Sequence, residues 1–179
     1  MSSGDPALLV LDTTALINFR SEGLFGLLGS LTGLKVVTTA YVVENELVYD
    51  DTRVAVSGAI GARSLQVVDL ESVEELALWQ ELSTRLARGE ASALAFAHCR
   101  GQAFLTDDLD SYIMALSLLG KERCYRSCRL LVEALDRRLL GRGQAEALFA
   151  RWRSEEFRMP WISLEELWLD VFPSRAIPE

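Results

Sequence analysis

The chain has 179 residues, of which 50% are hydrophobic and 25% charged, and its formal net charge is −8. This length and composition predict one soluble domain over residues 1–179 with a well-filled core. The acidic balance does not favour a nucleic-acid binder, because neutralising phosphates requires Lys and Arg. No apolar run approaches the roughly 20 residues that span a membrane, and the first residues lack the basic and apolar regions of a signal peptide. We therefore expect a cytoplasmic protein without a membrane partner.

The cysteines do not indicate a disulfide framework or a zinc site. Cys99, Cys124 and Cys128 are odd in number, which argues against paired disulfides. Cys124 and Cys128 are four residues apart, but the lone His98 leaves them without a complete set of zinc ligands.

The first predicted element is a strand that ends in an acid. Residues 8–11 form a continuous apolar run, which is typical of a strand buried in a parallel sheet. Asp12 follows at the carboxyl end of this strand, where open α/β sheets bind their ligands. Asp12 or Thr13 can cap a helix that extends to Phe19, and a second short helix is predicted over 23–28.

The next segments alternate between strands and helices. Glu44 and Glu46 lie in the first helix of this part, and a hydroxyl three residues before an acid predicts a capping box at Ser72. The predicted strands are 34–38 and 65–70, and the predicted helices are 40–48, 50–64 and 72–87.

A second strand repeats the pattern of the first. Gly89 is predicted to break the preceding helix, and Glu90 begins a small, apolar helix that ends near Gly101. The strand 103–106 then runs directly into Asp107 and Asp108, as the first strand runs into Asp12. A helix over 111–119 and a short strand over 122–126 complete this part.

The last third of the chain is predicted to be helical and is rich in arginine. Helices are expected over 128–140, 144–153 and 163–169. The alternation before them predicts a three-layer α/β/α sandwich over 7–126, with a mainly parallel sheet of four or five strands, and a helical extension over 127–179. We expect the arginines of this part either to face solvent or to contact a polyanion. They are Arg123, Arg126, Arg129, Arg137, Arg138, Arg142, Arg151, Arg153 and Arg158.

The acids at the strand ends and helix starts have separate structural explanations. Asp12 is a possible helix cap, and Glu90 complements a helix dipole. Together, however, such carboxylates at one sheet edge repel one another unless a cation lies among them. Oxygen-only ligands suit Mg²⁺ or Mn²⁺, and such a site can hydrolyse phosphodiesters.

Four segments resemble the PIN domain in order and spacing. They are 12–17 (DTTALI), 46–47 (EL), 89–95 (GEASALA) and 105–108 (LTDD). The end of the chain, with LLVEAL at 130–135 and WIS at 161–163, resembles one bacterial and archaeal PIN-like subfamily. The resemblance implies a metal-dependent ribonuclease with an RNA substrate. It also implies a relation to VapC-like toxins of type II toxin–antitoxin pairs, and therefore a possible antitoxin partner.

The resemblance also implies the residues of the site. Mg²⁺ or Mn²⁺ would be bound by Asp12, Glu90 and Asp108, and the family's acid in the second helix would be Glu46. Glu44 is the alternative to Glu46, because the family's proline ahead of that helix is absent here.

A second alternative concerns the acids after the later strand. Asp107 could replace Asp108, but Thr106-x-Asp108 matches the family motif better, with Asp110 as an auxiliary acid. The hydroxyls implied to hold the cluster or a phosphate by hydrogen bonds are Thr13 or Thr14, and Thr106.

Two other functions compete with the nuclease. One is a non-catalytic PIN-like protein that binds RNA or an antitoxin. The other is a haloacid-dehalogenase-like phosphatase, which residues 9–14 resemble; that family's second aspartate would fall at Thr14, and no lysine lies between residues 90 and 107. If one small domain cannot bury the apolar last helices, a homodimer face is expected.

Overall fold

A five-stranded sheet organises the first 126 residues. The computed structural model describes residues 7–21, 23–155 and 159–178. The strand order is β3-β2-β1-β4-β5, and each pairing is parallel. The strands are β1 (Leu8–Leu11), β2 (Lys35–Thr39), β3 (Gln66–Val68), β4 (Ala103–Leu105) and β5 (Cys124–Tyr125). Helices flank this sheet, which confirms the predicted α/β/α sandwich.

The helices follow the predicted order. They are α1 (Thr13–Asn18), α2 (Leu24–Thr32), α3 (Ala40–Asn45), α4 (Asp50–Gly61), α5 (Val73–Leu82), α6 (Arg88–Cys99), α7 (Leu109–Leu119), α8 (Ser127–Asp136), α9 (Arg142–Ser154) and α10 (Leu164–Val171). A 3₁₀ turn, Lys121–Arg123, occupies the start of the strand predicted over 122–126.

Several predicted helix boundaries were wrong; for example, the helices predicted to reach residues 64 and 140 end at Gly61 and Asp136, and the one predicted over 23–28 extends to Thr32. The helix predicted over 40–48 ends at Asn45, with Glu46 as its C-cap. The helix predicted to reach residue 87 ends at Leu82, and a turn leads from there into α6. Gly89 does not break a helix, because it lies in the first turn of α6.

The order of the strands creates a switch point between β1 and β4. The chain moves from β1 to β2 and β3 on one side, then crosses back to β4 and β5 on the other. Because such crossovers are right-handed, the connections after β1 and after β4 lie on opposite faces of the sheet. A crevice is left at the carboxyl ends of these two strands.

Small side chains bring α6 close to the middle of the sheet. α6 packs against β1, β2 and β4, and its alanines at 91, 93, 95 and 97 are fully buried. Leu9, Val10 and Leu11 of β1 are fully buried, and Val10 packs in the same core cluster as the α6 alanines. Burial stabilises the fold by about 1.5–3 kcal/mol for each large side chain. α6 runs back across the sheet from β3 to β4, so its first turn lies at the carboxyl edge.

Local capping begins the helices at this edge. The side chain of Asp12 accepts a hydrogen bond from the Ala15 N–H, and Asp108 accepts one from the Ser111 N–H in the same way. Gly120 ends α7 with a φ of 79°, a left-handed conformation that favours glycine. Asp12 and Asp108 are thus N-caps of α1 and α7 as well as candidate site residues.

The chain forms two compact units, the second of which begins at Ser127. This unit contains α8, α9 and α10, and it buries Trp152 and Trp168. Among its described residues, three arginines form ion pairs with acids: Arg129 with Glu133, Arg142 with Glu146 and Glu165, and Arg175 with Asp136. That residues 1–179 form one domain stays a prediction.

Some sequence features lie outside the described residues. They include Arg158 and the chain start at 1–6, where the absence of a signal peptide was predicted. Within residues 7–21, 23–155 and 159–178, no helix is long and apolar enough to cross a membrane.

Candidate active site

Asp12 lies in the crevice between β1 and β4. Leu11 pairs with Leu105, so Asp12 and Thr106 follow paired residues of adjacent strands. Asp12 is fully buried. Its Oδ1 accepts hydrogen bonds from the Ala15 N–H and the Thr14 hydroxyl, both at 2.8 Å, and its Oδ2 accepts one from the Thr106 hydroxyl at 2.5 Å. Both carboxylate oxygens are thus held in place.

Burial makes the ionised form of Asp12 costly. Desolvation raises the pKa of Asp12 from 3.8 to about 7, and the charge of Asp107 adds to the increase, although the three hydrogen bonds oppose it. A buried carboxylate of this kind gains stability from a bound cation.

Thr106 connects Asp12 to Asp108. The hydroxyl of Thr106 donates to Asp12 and also accepts a hydrogen bond from the Asp108 N–H at 3.2 Å. Asp108 is half-buried and begins α7 as its N-cap. The Thr106 hydroxyl therefore links the carboxylate of Asp12, after β1, to the backbone of Asp108, after β4.

Glu46 lies between the start of α1 and the start of α6. Its Oε2 accepts a hydrogen bond from the Thr13 hydroxyl at 2.5 Å, and its Oε1 accepts one from the Gly89 N–H at 2.6 Å. Because a glycine has no Cβ, the carboxylate can lie directly against the backbone of α6. A Cβ at Gly89 would fall 2.1 Å from the Glu46 Oε2.

Glu90 is electrostatically coupled to the other acids. Its pKa is raised from 4.5 to about 8, first by burial and then by the charges of Asp12 and Asp108, with a smaller contribution from Glu46. The Ala87 N–H donates a hydrogen bond to its Oε2 at 3.3 Å and opposes this shift. Four carboxylates therefore share one electrostatic environment at the carboxyl edge of the sheet.

Asp107 has its own polar partners. Its Oδ2 accepts a hydrogen bond from the Asn18 amide at 2.7 Å, and its Oδ1 lies 3.9 Å from the Nε of Arg126. The Thr14 hydroxyl accepts from the Asp107 N–H at 3.1 Å. The charge of Asp108, the other acid of this turn, is one of the main causes that raise the pKa of Glu90.

The remaining two candidate acids lie at the surface. Glu44 is exposed on α3, and the structure brings Glu46, two residues later, to Thr13 and Gly89 instead. Asp110 is exposed in the first turn of α7, beside Ile113.

Comparison with known proteins identifies the family of this chain. Residues 8–167 match a family model described as a PIN domain. The chain belongs to the PIN domain family. No curated protein matches this PIN domain. Among solved structures it is similar to a PilT N-terminus domain protein from the hyperthermophilic archaeon Sulfolobus solfataricus P2, with 19% identity and a TM-score of 0.42 over 72% of this chain and 94% of that one.

The donor set of this PIN domain suits a hard divalent cation. The coupled side chains offer only carboxylate and hydroxyl oxygens, which Mg²⁺ and Mn²⁺ prefer. Within the described part of the chain, no three Asp, Glu, His or Cys side chains already lie close enough together to hold an ion. The residues therefore fit the metal by chemistry and charge, and the carboxylates would have to approach one another when it binds.

Sequence reasoning did not place Asn18 or Arg126 beside the acids; it named Arg126 only as one of the arginines that face solvent or contact a polyanion. Asn18 is a buried polar residue at the end of an apolar helix, a position that indicates a specific partner. Arg126 directly follows β5, as Asp12 follows β1 and Thr106 follows β4. A polar residue directly after a predicted strand is the signal that could have placed Arg126 at this edge of the sheet.

We expect Gly89→Ala to displace the Glu46 carboxylate. Glu46 is a flexible side chain, so the backbone has no need to shift, but its hydrogen bonds to Gly89 and Thr13 are lost. The free energy of unfolding should fall by about 1 kcal/mol, the usual contribution of such bonds. Chemical denaturation measures this change.

Gly58→Ala is the matched control, because Gly58 lies within α4 with nothing within 4 Å of an added Cβ. There the better helix propensity of alanine should raise stability by about 0.5–1 kcal/mol. In a Glu46→Ala background, Gly89→Ala should no longer destabilise the protein. If its cost persists in that background, contact with Glu46 is not the cause.

Proposed function

We propose that this PIN domain is a Mg²⁺- or Mn²⁺-dependent endoribonuclease. The observation that carries the proposal is the electrostatic coupling of Glu90 with Asp12 and Asp108 at the switch point of the sheet. One buried and two half-buried acids, two of whose charges raise the pKa of the third, destabilise the metal-free protein. A purely structural site would not need such an arrangement. The family and its nuclease-like fold support the same function.

In this proposal Asp12, Glu90 and Asp108 hold the metal. When bound, the metal would activate water and stabilise the charge that develops on the phosphodiester. Thr106 orients Asp12 and the backbone of Asp108 through its two hydrogen bonds. Glu46 is an additional acid, oriented by Thr13 and the Gly89 N–H.

The first test is the metal requirement of RNA cleavage. Purified protein with Mn²⁺ or Mg²⁺ should cleave labelled single-stranded RNA, and EDTA should abolish the cleavage. Excess Mn²⁺ added after EDTA should restore it, which controls for damage by the chelator. Hydrolysis of p-nitrophenyl phosphate without nuclease activity would instead support the phosphatase, which family membership argues against.

The non-catalytic alternative gives a different result in the same assay. A protein that only binds RNA or an antitoxin would retain RNA with and without metal and release no product. The acids at the switch point favour the catalytic function over this alternative.

The biological setting proposed is that of a cytoplasmic toxin in a type II toxin–antitoxin pair, with an antitoxin protein as partner and a homodimer as the possible assembly. A short antitoxin-like reading frame next to the gene would support this setting. Sedimentation of the purified protein measures its oligomeric state.

A further inference from the structure

Arg126 is a cation at the same sheet edge as the acids. It follows β5, whose Tyr125 pairs with Leu105 of β4. The Thr106 N–H donates to the Tyr125 carbonyl at 3.3 Å, so the strands remain paired up to this point. Arg126 is therefore one strand away from the residues that lead to Asp107 and Asp108.

Three contacts hold the guanidinium of Arg126 in place. Its Nη2 donates to the backbone oxygen of Asp107 at 2.7 Å, and its Nε lies 3.9 Å from the Asp107 Oδ1. Its Cζ lies 5.2 Å from the centre of the Tyr112 ring, which is within the range of a cation–π interaction. The side chain is thus preorganised beside the turn that carries Asp108.

These contacts leave much of the charge of Arg126 available. The close hydrogen bond goes to a neutral carbonyl, and the ion pair with Asp107 is longer than the 2.7–2.9 Å of a charge-assisted bond. Within the part of the chain that the structure describes, the Nη1 of Arg126 makes no hydrogen bond. The side chain is 30% exposed, so its free N–H groups can reach a ligand from solvent.

An acidic site that acts on a polyanion needs such a cation. The carboxylates of Asp12, Glu90 and Asp108 repel RNA until metal neutralises them, and phosphates away from the metal remain charged. Arginine presents a fork of donors that fits a phosphate. We infer that Arg126 binds a backbone phosphate of the RNA next to the one at the acids, an inference that rests on the proposed function.

Arg126→Gln tests this role. Gln retains an amide that can donate to the Asp107 carbonyl, but it removes the charge. The matched control is Arg123→Gln, because Arg123 precedes β5 at the opposite edge of the sheet and also donates to a backbone carbonyl, that of Leu119 at 2.9 Å. Both variants change the net charge equally.

Binding is measured by fluorescence anisotropy with labelled single-stranded RNA over a range of salt concentrations, in EDTA, because the proposed nuclease would cleave the RNA in Mn²⁺. Arg126→Gln should weaken binding about tenfold and lower the slope of log Kd against log salt by about 0.7, as expected for one lost phosphate contact. Arg123→Gln should stay within about twofold of the wild type. Arg126→Lys should restore the slope but only part of the affinity, because a lysine is a point charge without the fork.

The cleavage assay adds a second readout. Loss of a remote phosphate contact should raise KM and leave kcat nearly unchanged. If Arg126 only supports the turn at Asp107, Arg126→Gln lowers the melting temperature while its salt slope matches that of Arg123→Gln, and the inference is wrong.

The design separates failure of this inference from failure of the proposed function. RNA binding that depends on Arg126 in a protein that never cleaves would uphold the phosphate contact and reject the nuclease. Cleavage with equal KM and salt slopes for the two glutamine variants would reject the contact alone. A wild type that binds no RNA in EDTA and cleaves none in Mn²⁺ rejects both.

Discussion

Asp12→Asn is expected to reduce metal-dependent RNA cleavage by about 1000-fold or more. In the proposed site, Asp12 is the metal ligand at the centre of the switch point, and the stabilisation that a metal supplies is worth several kcal/mol. A loss of about 4 kcal/mol corresponds to a 1000-fold decrease in rate. Initial rates of RNA cleavage in Mn²⁺ measure the effect.

The same substitution should not destabilise the metal-free protein. Asn caps helices as well as Asp does, so the hydrogen bond from the Ala15 N–H can persist. The substitution also removes a buried charge that repels Glu90. The melting temperature in EDTA should be equal or higher, whereas a clear decrease would indicate that Asp12 is mainly a structural cap.

Asp50→Asn is the matched control for this experiment. Asp50 is exposed in the first turn of α4, and it pairs with Arg53 at the surface, where such pairs contribute little. The control makes the same chemical change away from the sheet edge. Wild-type activity retained by Asp12→Asn would contradict the proposed site.

The metal-free protein should lose stability as the pH rises from about 5 to 8. The pKa of Asp12 is raised by burial from 3.8 to about 7, and that of Glu90 by burial and neighbouring carboxylates from 4.5 to about 8. Between the unfolded and folded values, the folded protein binds more protons than the unfolded chain, so the free energy of unfolding falls with increasing pH. Above about pH 8 it should level off.

The expected decrease is on the order of 3 kcal/mol. Each pKa unit corresponds to about 1.4 kcal/mol, and the value is reduced because Glu90 is partly exposed and the two groups are coupled. Urea denaturation in EDTA at several pH values measures it. Mg²⁺ or Mn²⁺ should recover much of the loss at high pH, because the metal binds the ionised carboxylates of the folded state.

Glu90→Gln should make this pH dependence much smaller. The substitution removes one titrating group and also relieves Asp12 of a neighbouring charge. Glu81→Gln, on the exposed side of α5, is the control and should leave the pH profile unchanged. A metal-free protein that becomes more stable from pH 5 to 8 would contradict the raised pKa values of Asp12 and Glu90.

Local rules predicted most of the secondary structure. The apolar run of β1 and the short β4 followed from the continuous hydrophobicity of buried parallel strands. The N-caps of α1, α5 and α10 followed from Asp12, Ser72 and Ser163, since a capping hydroxyl or carboxylate acts within its own helical turn. These features depend on neighbours within about four residues.

Packing between distant segments decided which of two neighbouring acids contacts the other polar groups at this edge of the sheet. Gly89 was predicted to break a helix, yet it lies in the first turn of α6, where the carboxylate of Glu46 lies against it. Glu44 and Glu46 are two residues apart in sequence, and only the fold shows that Glu46 contacts Thr13. A pattern of residue types does not contain that contact.

The sequence alone determined that acids follow two buried strands of a parallel sheet and that Glu90 begins a helix. The tertiary structure decided that β1 and β4 are adjacent, and that their carboxyl ends form the switch point. It also decided that Asp107 pairs with Asn18 and Arg126 while Asp108 acts on Glu90. The physical reason is that strand and cap formation are local, whereas strand order and side-chain pairing depend on segments some 90 residues apart, such as Asn18 and Asp107.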